Sequence, residues 1–169
     1  MPLYFAYGSN MDQADMAKRC PGSKVVGVGR LMRHRFVIFD GGYASVVRDP
    51  QRAVWGVVWD LALGDVPALD RYENLSTGLY TKVIQPVLTP QGPRRAIVYV
   101  ARSAKPGTPK PGYMEGVVAA AEEAGLPKDY IHGLAALLPH VQPSSPPEQP
   151  KVRPRWSSPA NVSRKPSEL

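Results

Sequence analysis

The sequence at residues 3–10 is LYFAYGSN, an apolar and aromatic run that stops at glycine, serine and asparagine. Such a run is typical of a buried β-strand, and a helical pattern follows it at once. Gly8 has no side chain, so a ligand can approach the backbone closely there. We expect the N–H groups of Ser9, Asn10 and Met11 to point out of this loop, where they would suit a carboxylate or an oxyanion. The alternative is an ordinary strand-to-helix turn in which Asn10 is the N-cap.

The composition predicts one globular domain. A chain of 169 residues with 43% hydrophobic content can bury a core. No apolar run reaches the roughly 20 residues that span a bilayer, and the N-terminus does not look like a secretory signal. The single cysteine, Cys20, excludes an intrachain disulfide and a cysteine-rich zinc site. We therefore expect a cytoplasmic protein that does not associate with membranes.

The net charge of +7 is modest and partly local. Residues 141–169 contain five basic and two acidic side chains, which leaves a net +4 on residues 1–140. Such an excess favours anionic ligands, but it does not indicate a nucleic-acid module, because basic and aromatic side chains do not interleave. We expect no nucleic-acid partner.

Short strand-like segments dominate the first hundred residues. The predicted strands are residues 2–7, 24–32, 35–40, 44–47, 53–61, 80–88 and 94–101. The strongest is AVWGVVWDL at residues 53–61, in which Gly56 suggests a bulge or a close backbone approach. The last two segments read as a hairpin.

Helical patterns lie between some of these strands and again after residue 110. Residues 12–19 and 65–72 read as short helices. Met114, Val117, Val118 and Ala121 have the spacing of an apolar helix face, and Gly125 reads as the end of that helix. A last short helix runs through residues 130–138. Many short strands followed by helices predict an α+β domain with a curled, mixed or mainly antiparallel sheet.

The composition changes sharply near residue 140. We predict a domain at residues 1–140 and an extended or disordered Pro/Ser-rich basic tail at residues 141–169, with Trp156 as a possible anchor.

A second unusual segment is LDRYENLSTGLY at residues 69–80. Glu73 stands where a short helix ends, and a glutamate there is usually exposed and inert. The alternative is a general base held at a rigid edge. Tyr72 and Tyr80 could then shield Glu73 and raise its pKa by desolvation.

Other candidate residues carry weaker signals. His34, His132 and His140 lack metal-ligand spacing. Residues 27–29, Gly-Val-Gly, lack the third glycine of a dinucleotide fingerprint. Ser9 has no base partner and reads as a loop donor. We expect no metal and no organic cofactor.

The two unusual segments together resemble the γ-glutamylcyclotransferase family. Residues 3–10 are similar to that family's Tyr-Gly-Ser-Asn loop, and residues 54–59, VWGVVW, to its central strand. Residues 69–80 are similar to the segment that bears its catalytic glutamate. Residues 111–113, Pro-Gly-Tyr, and residues 125–127, Gly-Leu-Pro, resemble its C-terminal region. The resemblance spans about residues 3–139.

The resemblance implies a barrel-like sheet flanked by helices and a specific reaction. A γ-glutamyl amino acid or amine would cyclise to 5-oxoproline and release the free amine, with Glu73 as general acid and base. No cofactor would be needed, and the protein would be a monomer or a homodimer with a small-molecule γ-glutamyl substrate. The implied substrate-binding residues are Tyr4, Phe5, Ala6, Tyr7, Gly8, Ser9, Asn10, Tyr80 and Tyr113.

One departure from the family pattern follows Glu73. The family often has glycine at the next position, whereas this chain has Asn74. Asparagine tolerates the left-handed backbone conformation, so we expect the loop to be retained. Three donors remain open: glutathione, a γ-glutamyl-amine cross-link and a γ-glutamyl-protected biosynthetic intermediate. A non-catalytic binding or interaction domain of the same fold is the alternative function, although such a domain would be free to lose Glu73.

Overall fold

The computed structural model describes residues 1–139. The predictions for the tail, for Trp156 and for His140 lie outside the described residues. None of the helices in residues 1–139 is long and apolar enough to cross a membrane.

Five strands close into a barrel with the order β1-β3-β2-β4-β5. The strands are β1 (Leu3–Ala6), β2 (Lys24–Ile38), β3 (Ala44–Asp60), β4 (Tyr80–Thr89) and β5 (Gly92–Ala101). β1 pairs antiparallel with β3 and parallel with β5, whereas the other pairings are antiparallel. The predicted α+β class with a mixed, barrel-like sheet is confirmed.

The hairpin of β2 and β3 is longer than the sequence predicted. Four short strands were expected, but each pair is continuous. Arg33 adopts a φ of 58° at a register shift, and residues 49–52 of β3 lie opposite it. A bulge of this kind absorbs the extra residues and bends a strand without ending it. The gaps between the predicted strands, at residues 33–34 and 48–52, therefore correspond to a bend in one long hairpin.

Residues 1–139 contain four α-helices besides the barrel. They are α1 (Gln13–Arg19), α2 (Val66–Tyr72), α3 (Tyr113–Glu123) and α4 (Lys128–Ala135). Asp12 is the N-cap of α1, because its side chain accepts a hydrogen bond from the Asp15 N–H at 2.9 Å. The alternative in which Asn10 caps this helix is therefore wrong. Gly125 follows α3 with a φ of 74°, the left-handed conformation that ends many helices, as predicted.

Gly56 determines how closely β1 lies on β3. A Cβ atom at this position would collide with the Ala6 carbonyl oxygen and would lie 2.9 Å from the Phe5 ring. The register through Gly56 and Gly29 is unbroken, so Gly56 marks a close approach and not a bulge. Because β1 lies directly on this glycine, the loop that follows Ala6 emerges at a defined point above the barrel.

Candidate functional site

A cavity of about 300 Å³ opens beside the loop that follows β1. Its walls come from that loop, from the end of α2 and from the first residues of β4 and α3. The lining residues are Tyr4, Tyr7, Gly8, Ser9, Asn10, Tyr43, Ala44, Tyr72, Glu73, Asn74, Leu79, Tyr80, Tyr99 and Tyr113. The fold thus brings the two unusual sequence segments to one cavity.

Most of the predicted site residues line this cavity, but Phe5 and Ala6 do not. Both are fully buried, and they pack against Gly56 in the barrel. A ligand in the cavity cannot reach side chains that face the barrel core. We therefore remove Phe5 and Ala6 from the candidate substrate contacts.

Glu73 caps the C-terminus of α2, and its N–H donates to the Leu69 carbonyl at 3.0 Å. Asn74 then adopts a φ of 51°, the left-handed conformation expected for it, and turns the chain away from the helix. The Glu73 side chain is partly buried and faces the cavity. The end of a helix and a fixed turn thus hold this carboxyl group in place.

The environment of Glu73 alters its acidity. Burial raises the pKa of Glu73 from 4.5 to about 7, while the Arg19 charge and hydrogen bonds from Tyr4 and Asn10 act in the opposite direction. Desolvation of the charged form is the expected cause of such a rise. A carboxyl group with this pKa exchanges a proton near neutral pH.

The Asn10 side chain is a direct hydrogen-bond partner of Glu73. Its Nδ2 donates to Glu73 Oε1 at 3.1 Å and to the Tyr4 hydroxyl at 3.0 Å, and its Oδ1 accepts from Arg19. The Trp59 indole donates to the Asn10 carbonyl oxygen at 3.2 Å. Sequence reasoning considered the Asn10 backbone and missed this amide. Asp12 could have indicated this role: because Asp12 caps the helix, the Asn10 side chain is available to the site.

The loop amides differ from the expectation at one position. The Met11 N–H donates to the Gly8 carbonyl at 3.1 Å within a short 3₁₀ helix, Ser9–Met11, so it does not point at a ligand. Gly8 has a role that the sequence did not reveal, because a Cβ there would lie 2.8 Å from the Tyr113 hydroxyl. That hydroxyl accepts the Ala44 N–H at 3.2 Å. The glycine makes room for Tyr113 in the cavity wall.

Three lining tyrosines were not predicted as binding residues: Tyr43, Tyr72 and Tyr99. The Tyr43 ring packs edge-to-face on Tyr113, and the Tyr99 ring packs the same way on Tyr4. Tyr72 is 41% exposed, and its hydroxyl lies 2.8 Å from Ser9 Oγ. No local signal marks Tyr43 or Tyr99, because only the closed barrel brings the β2–β3 turn and β5 to the cavity.

A polar network behind the cavity connects α2 to the barrel. The Tyr99 hydroxyl donates to Asp70 Oδ1 at 2.6 Å, and Lys82 Nζ lies 3.0 Å from the same oxygen. Asp70 is one helical turn before Glu73 on α2. The network therefore ties the helix that carries Glu73 to β4 and β5.

The walls of the cavity hold Glu73 among neutral groups. No lysine, arginine or histidine lines it within the described part of the chain. Burial raises the pKa of Tyr113 to about 12, and it also raises the pKa values of Tyr4, Tyr7 and Tyr80. Residues 1–139 contain no group of three or more His, Cys, Asp or Glu side chains that could hold a metal ion. The arrangement can therefore accept and return a proton at one carboxyl group surrounded by neutral tyrosine side chains.

Known proteins are similar to this chain in sequence and in fold. A sequence model described as the AIG2-like family matches residues 53–134. The gamma-glutamylcyclotransferase of Mus musculus is 30% identical over 149 residues, which cover 82% of this chain and 79% of the relative. The Homo sapiens protein of the same name has the same identity and coverage. The chain belongs to the γ-glutamylcyclotransferase family.

The structural comparison agrees with this membership. A solved structure of a gamma-glutamyl cyclotransferase superposes with a TM-score of 0.76 at 27% sequence identity, covering 87% of this chain and 94% of the other. The family resemblance inferred from residues 3–10 and 69–80 is confirmed, and so is the γ-glutamylcyclotransferase fold.

Proposed function

We propose that this chain cyclises a γ-glutamyl amide to 5-oxoproline and releases the free amine, with Glu73 as general base and then general acid. The observation that carries the proposal is the Glu73 carboxyl group, which faces the cavity beside residues 8–10 with its pKa raised to about 7. A group that titrates near the working pH is best suited to accept a proton and return it.

The reaction needs no nucleophile from the protein. The α-amine of the substrate attacks the γ-carbonyl carbon, a new C–N bond closes the five-membered ring, and the original amide C–N bond breaks. Glu73 takes a proton from the attacking nitrogen and delivers it to the leaving nitrogen. Proton transfer of this kind contributes about 10²–10⁴ in rate. Holding the flexible substrate in the attack geometry supplies several kcal/mol more.

The loop after β1 is the proposed holder of the substrate's polar groups. Ser9, Asn10 and the cavity tyrosines line the same space as Glu73. The hydroxyls of Tyr7, Tyr80 and Tyr99 already donate to the Tyr99 carbonyl, the Ala44 carbonyl and Asp70, so the proposed donors are the loop N–H groups and the Tyr113 hydroxyl. Donors in such a cavity would bind the substrate α-carboxylate or the developing oxyanion, and the loss of one such donor typically costs about 3 kcal/mol. Neutral donors are suited to this task because they do not neutralise the base.

A non-catalytic small-ligand or interaction domain is the second candidate. It requires the cavity but not a titrating carboxyl group within it. The elevated pKa of Glu73 favours the enzyme, because such values are common at catalytic sites. We further propose a cytoplasmic protein, since its one cysteine, Cys20, is buried and free.

The test is incubation of the full chain with γ-glutamyl amino acids, γ-glutamyl amines and glutathione, followed by mass-spectrometric detection of 5-oxoproline. The proposal expects 5-oxoproline from at least one class, and the preferred class identifies the donor. Saturable binding of these compounds without any 5-oxoproline would favour the binding domain and overturn the proposed reaction.

A further inference from the structure

Arg19, the last residue of α1, contacts the site from outside the cavity. Its Cζ lies 3.4 Å from the centre of the Tyr72 ring, and its Nη1 donates to Asn10 Oδ1. Within residues 1–139, no carboxylate forms an ion pair with Arg19. The guanidinium is thus held by a ring face and an amide oxygen, and both belong to residues that line the cavity.

The chemistry of these groups leaves one orientation for the Asn10 amide. A guanidinium only donates hydrogen bonds, whereas a side-chain amide accepts on one side and donates on the other. The Asn10 oxygen must therefore face Arg19, and its NH₂ group must face Tyr4 and Glu73. In the reverse orientation, the Asn10 NH₂ group would face the N–H groups of Arg19, and the Asn10 oxygen would face the Glu73 carboxylate. Asn10 is only 3% exposed, so water cannot relieve that conflict.

We propose that Arg19 is a positioning residue that fixes the Asn10 amide, so that the Glu73 carboxylate always meets a hydrogen-bond donor. Donation to the charged form favours the ionised carboxylate. The catalytic consequence, a larger fraction of active base at neutral pH, rests on the proposed function.

The other titratable groups around Glu73 do not supply this effect. They are tyrosines: Tyr4, Tyr7, Tyr43, Tyr72, Tyr80, Tyr99 and Tyr113. Burial raises the pKa of Tyr4, Tyr7, Tyr80, Tyr99 and Tyr113 above the ordinary value, so these five stay neutral in the working range. Arg19 is the cation whose charge lowers the pKa of Glu73 against the effect of burial.

The experiment replaces Arg19 by glutamine, whose amide can present either atom to Asn10 and so imposes no orientation. Two quantities are followed: the ¹³C NMR titration of the Glu73 carboxyl carbon, assigned by its loss in Glu73→Gln, and the pH dependence of kcat/KM for 5-oxoproline release. We expect the midpoint of the Glu73 titration and the acidic limb of the kcat/KM profile to move together to higher pH, by about one unit. At pH 6 this means about a tenfold lower kcat/KM, with a much smaller loss at pH 9.

Two further variants test whether the effect belongs to position 19 and whether a lysine there restores it. Lys18→Gln removes the same charge one residue earlier, from a side chain that is 80% exposed and lies 3.8 Å from Asp15. We expect its shift to stay below about 0.2 pH unit because solvent screens the charge. Arg19→Lys keeps a cation that can only donate hydrogen bonds. We therefore expect its Glu73 titration midpoint to shift by less than half as much as in Arg19→Gln.

Three outcomes would overturn the proposal: an unchanged Glu73 titration in Arg19→Gln, an equal shift in Lys18→Gln, or a full-sized shift in Arg19→Lys. The NMR titration does not depend on turnover. A wild-type chain that releases no 5-oxoproline refutes the proposed function, while the titration still decides the role of Arg19. An active chain whose Arg19→Gln variant titrates like the wild type refutes the positioning role alone.

Discussion

Asn10 Nδ2 lies 3.1 Å from Glu73 Oε1, although 63 residues separate them in the chain. Asn10 belongs to the loop that β1 presents, and Glu73 belongs to the end of α2. The contact joins a fixed amide donor to a carboxyl group that burial makes a weaker acid. Two elements that are remote in sequence thus meet at one candidate site, and their proposed roles can be tested separately.

Replacing Glu73 by glutamine should abolish 5-oxoproline formation. The amide keeps the size of the side chain but cannot accept a proton, so we expect at least a 10²–10⁴-fold fall in kcat. Binding of 5-oxoproline, measured by calorimetry, should persist because the loop donors are unchanged. Glu122→Gln, an exposed change on α3, is the matched control and should retain full activity. Substantial turnover by Glu73→Gln would assign the base to another group.

Glu73 should also make stability depend on pH. Its pKa is raised by burial from 4.5 to about 7, so the folded state binds more protons than the unfolded state in this interval. The wild type therefore loses stability as the pH rises from about 4.5 through 7. The full rise corresponds to at most about 3.5 kcal/mol, at about 1.4 kcal/mol for each pH unit.

The Glu73→Gln variant has no such dependence at this position. We expect its free energy of unfolding, measured by urea titration, to increase relative to that of the wild type as the pH rises from 5 to 8. A difference between the two proteins that stays constant over this range would contradict the raised pKa.

Adding a methyl group at Gly8 should disturb Tyr113. The new Cβ would lie 2.8 Å from the Tyr113 hydroxyl. We expect Gly8→Ala to raise KM at least about tenfold, since small displacements of a positioning group are costly. Gly116→Ala on α3, where a Cβ meets nothing within 4 Å, is the control and should not affect KM.

The Gly8 effect should be non-additive with loss of the Tyr113 hydroxyl. Tyr113→Phe removes the atom that a Cβ at position 8 would meet, so the double variant should lose less than the sum of the two single changes. Strict additivity would mean that Gly8 acts by another route, such as direct approach of the ligand.

Asp70 should matter for the attachment of α2. It accepts the Tyr99 hydroxyl at 2.6 Å and pairs with Lys82 at 3.0 Å. Asp70→Ala leaves the largely buried Tyr99 hydroxyl without its acceptor, and we expect a loss of about 1–3 kcal/mol in the free energy of unfolding. Lys82→Met removes only a partly exposed ion pair and should cost no more than about 1 kcal/mol. Equal losses for the two variants would show that the Tyr99 hydrogen bond contributes little.

The sequence predicted those parts of the site that local chemistry marks. LYFAYGSN at residues 3–10 indicated a strand that ends in a small polar loop. Residues 69–80 indicated an acidic side chain at the end of a helix. The residues that the barrel brings together could not be read this way. Tyr99 lies at a position of β5 that any packed aromatic could occupy, and it faces the cavity only because β1 closes the sheet beside β5.

The bends of the long hairpin were also beyond local reasoning. Breaks at residues 33–34 and 48–52 look like turns in the sequence, but pairing with the opposite strand carries β2 and β3 through them. Tertiary pairing overrides weak local signals of this kind.

Gly56 lies in the middle of β3 and lines no part of the cavity, yet its bare backbone lets the Ala6 carbonyl come close. Ala6 is two residues before Gly8, so any side chain at position 56 would lift β1 and carry the loop with it. Core packing and the position of the cavity loop thus depend on the same feature, the missing Cβ of one glycine. The shape of the candidate site can therefore be altered from the interior of the barrel, at a position that does not line the cavity.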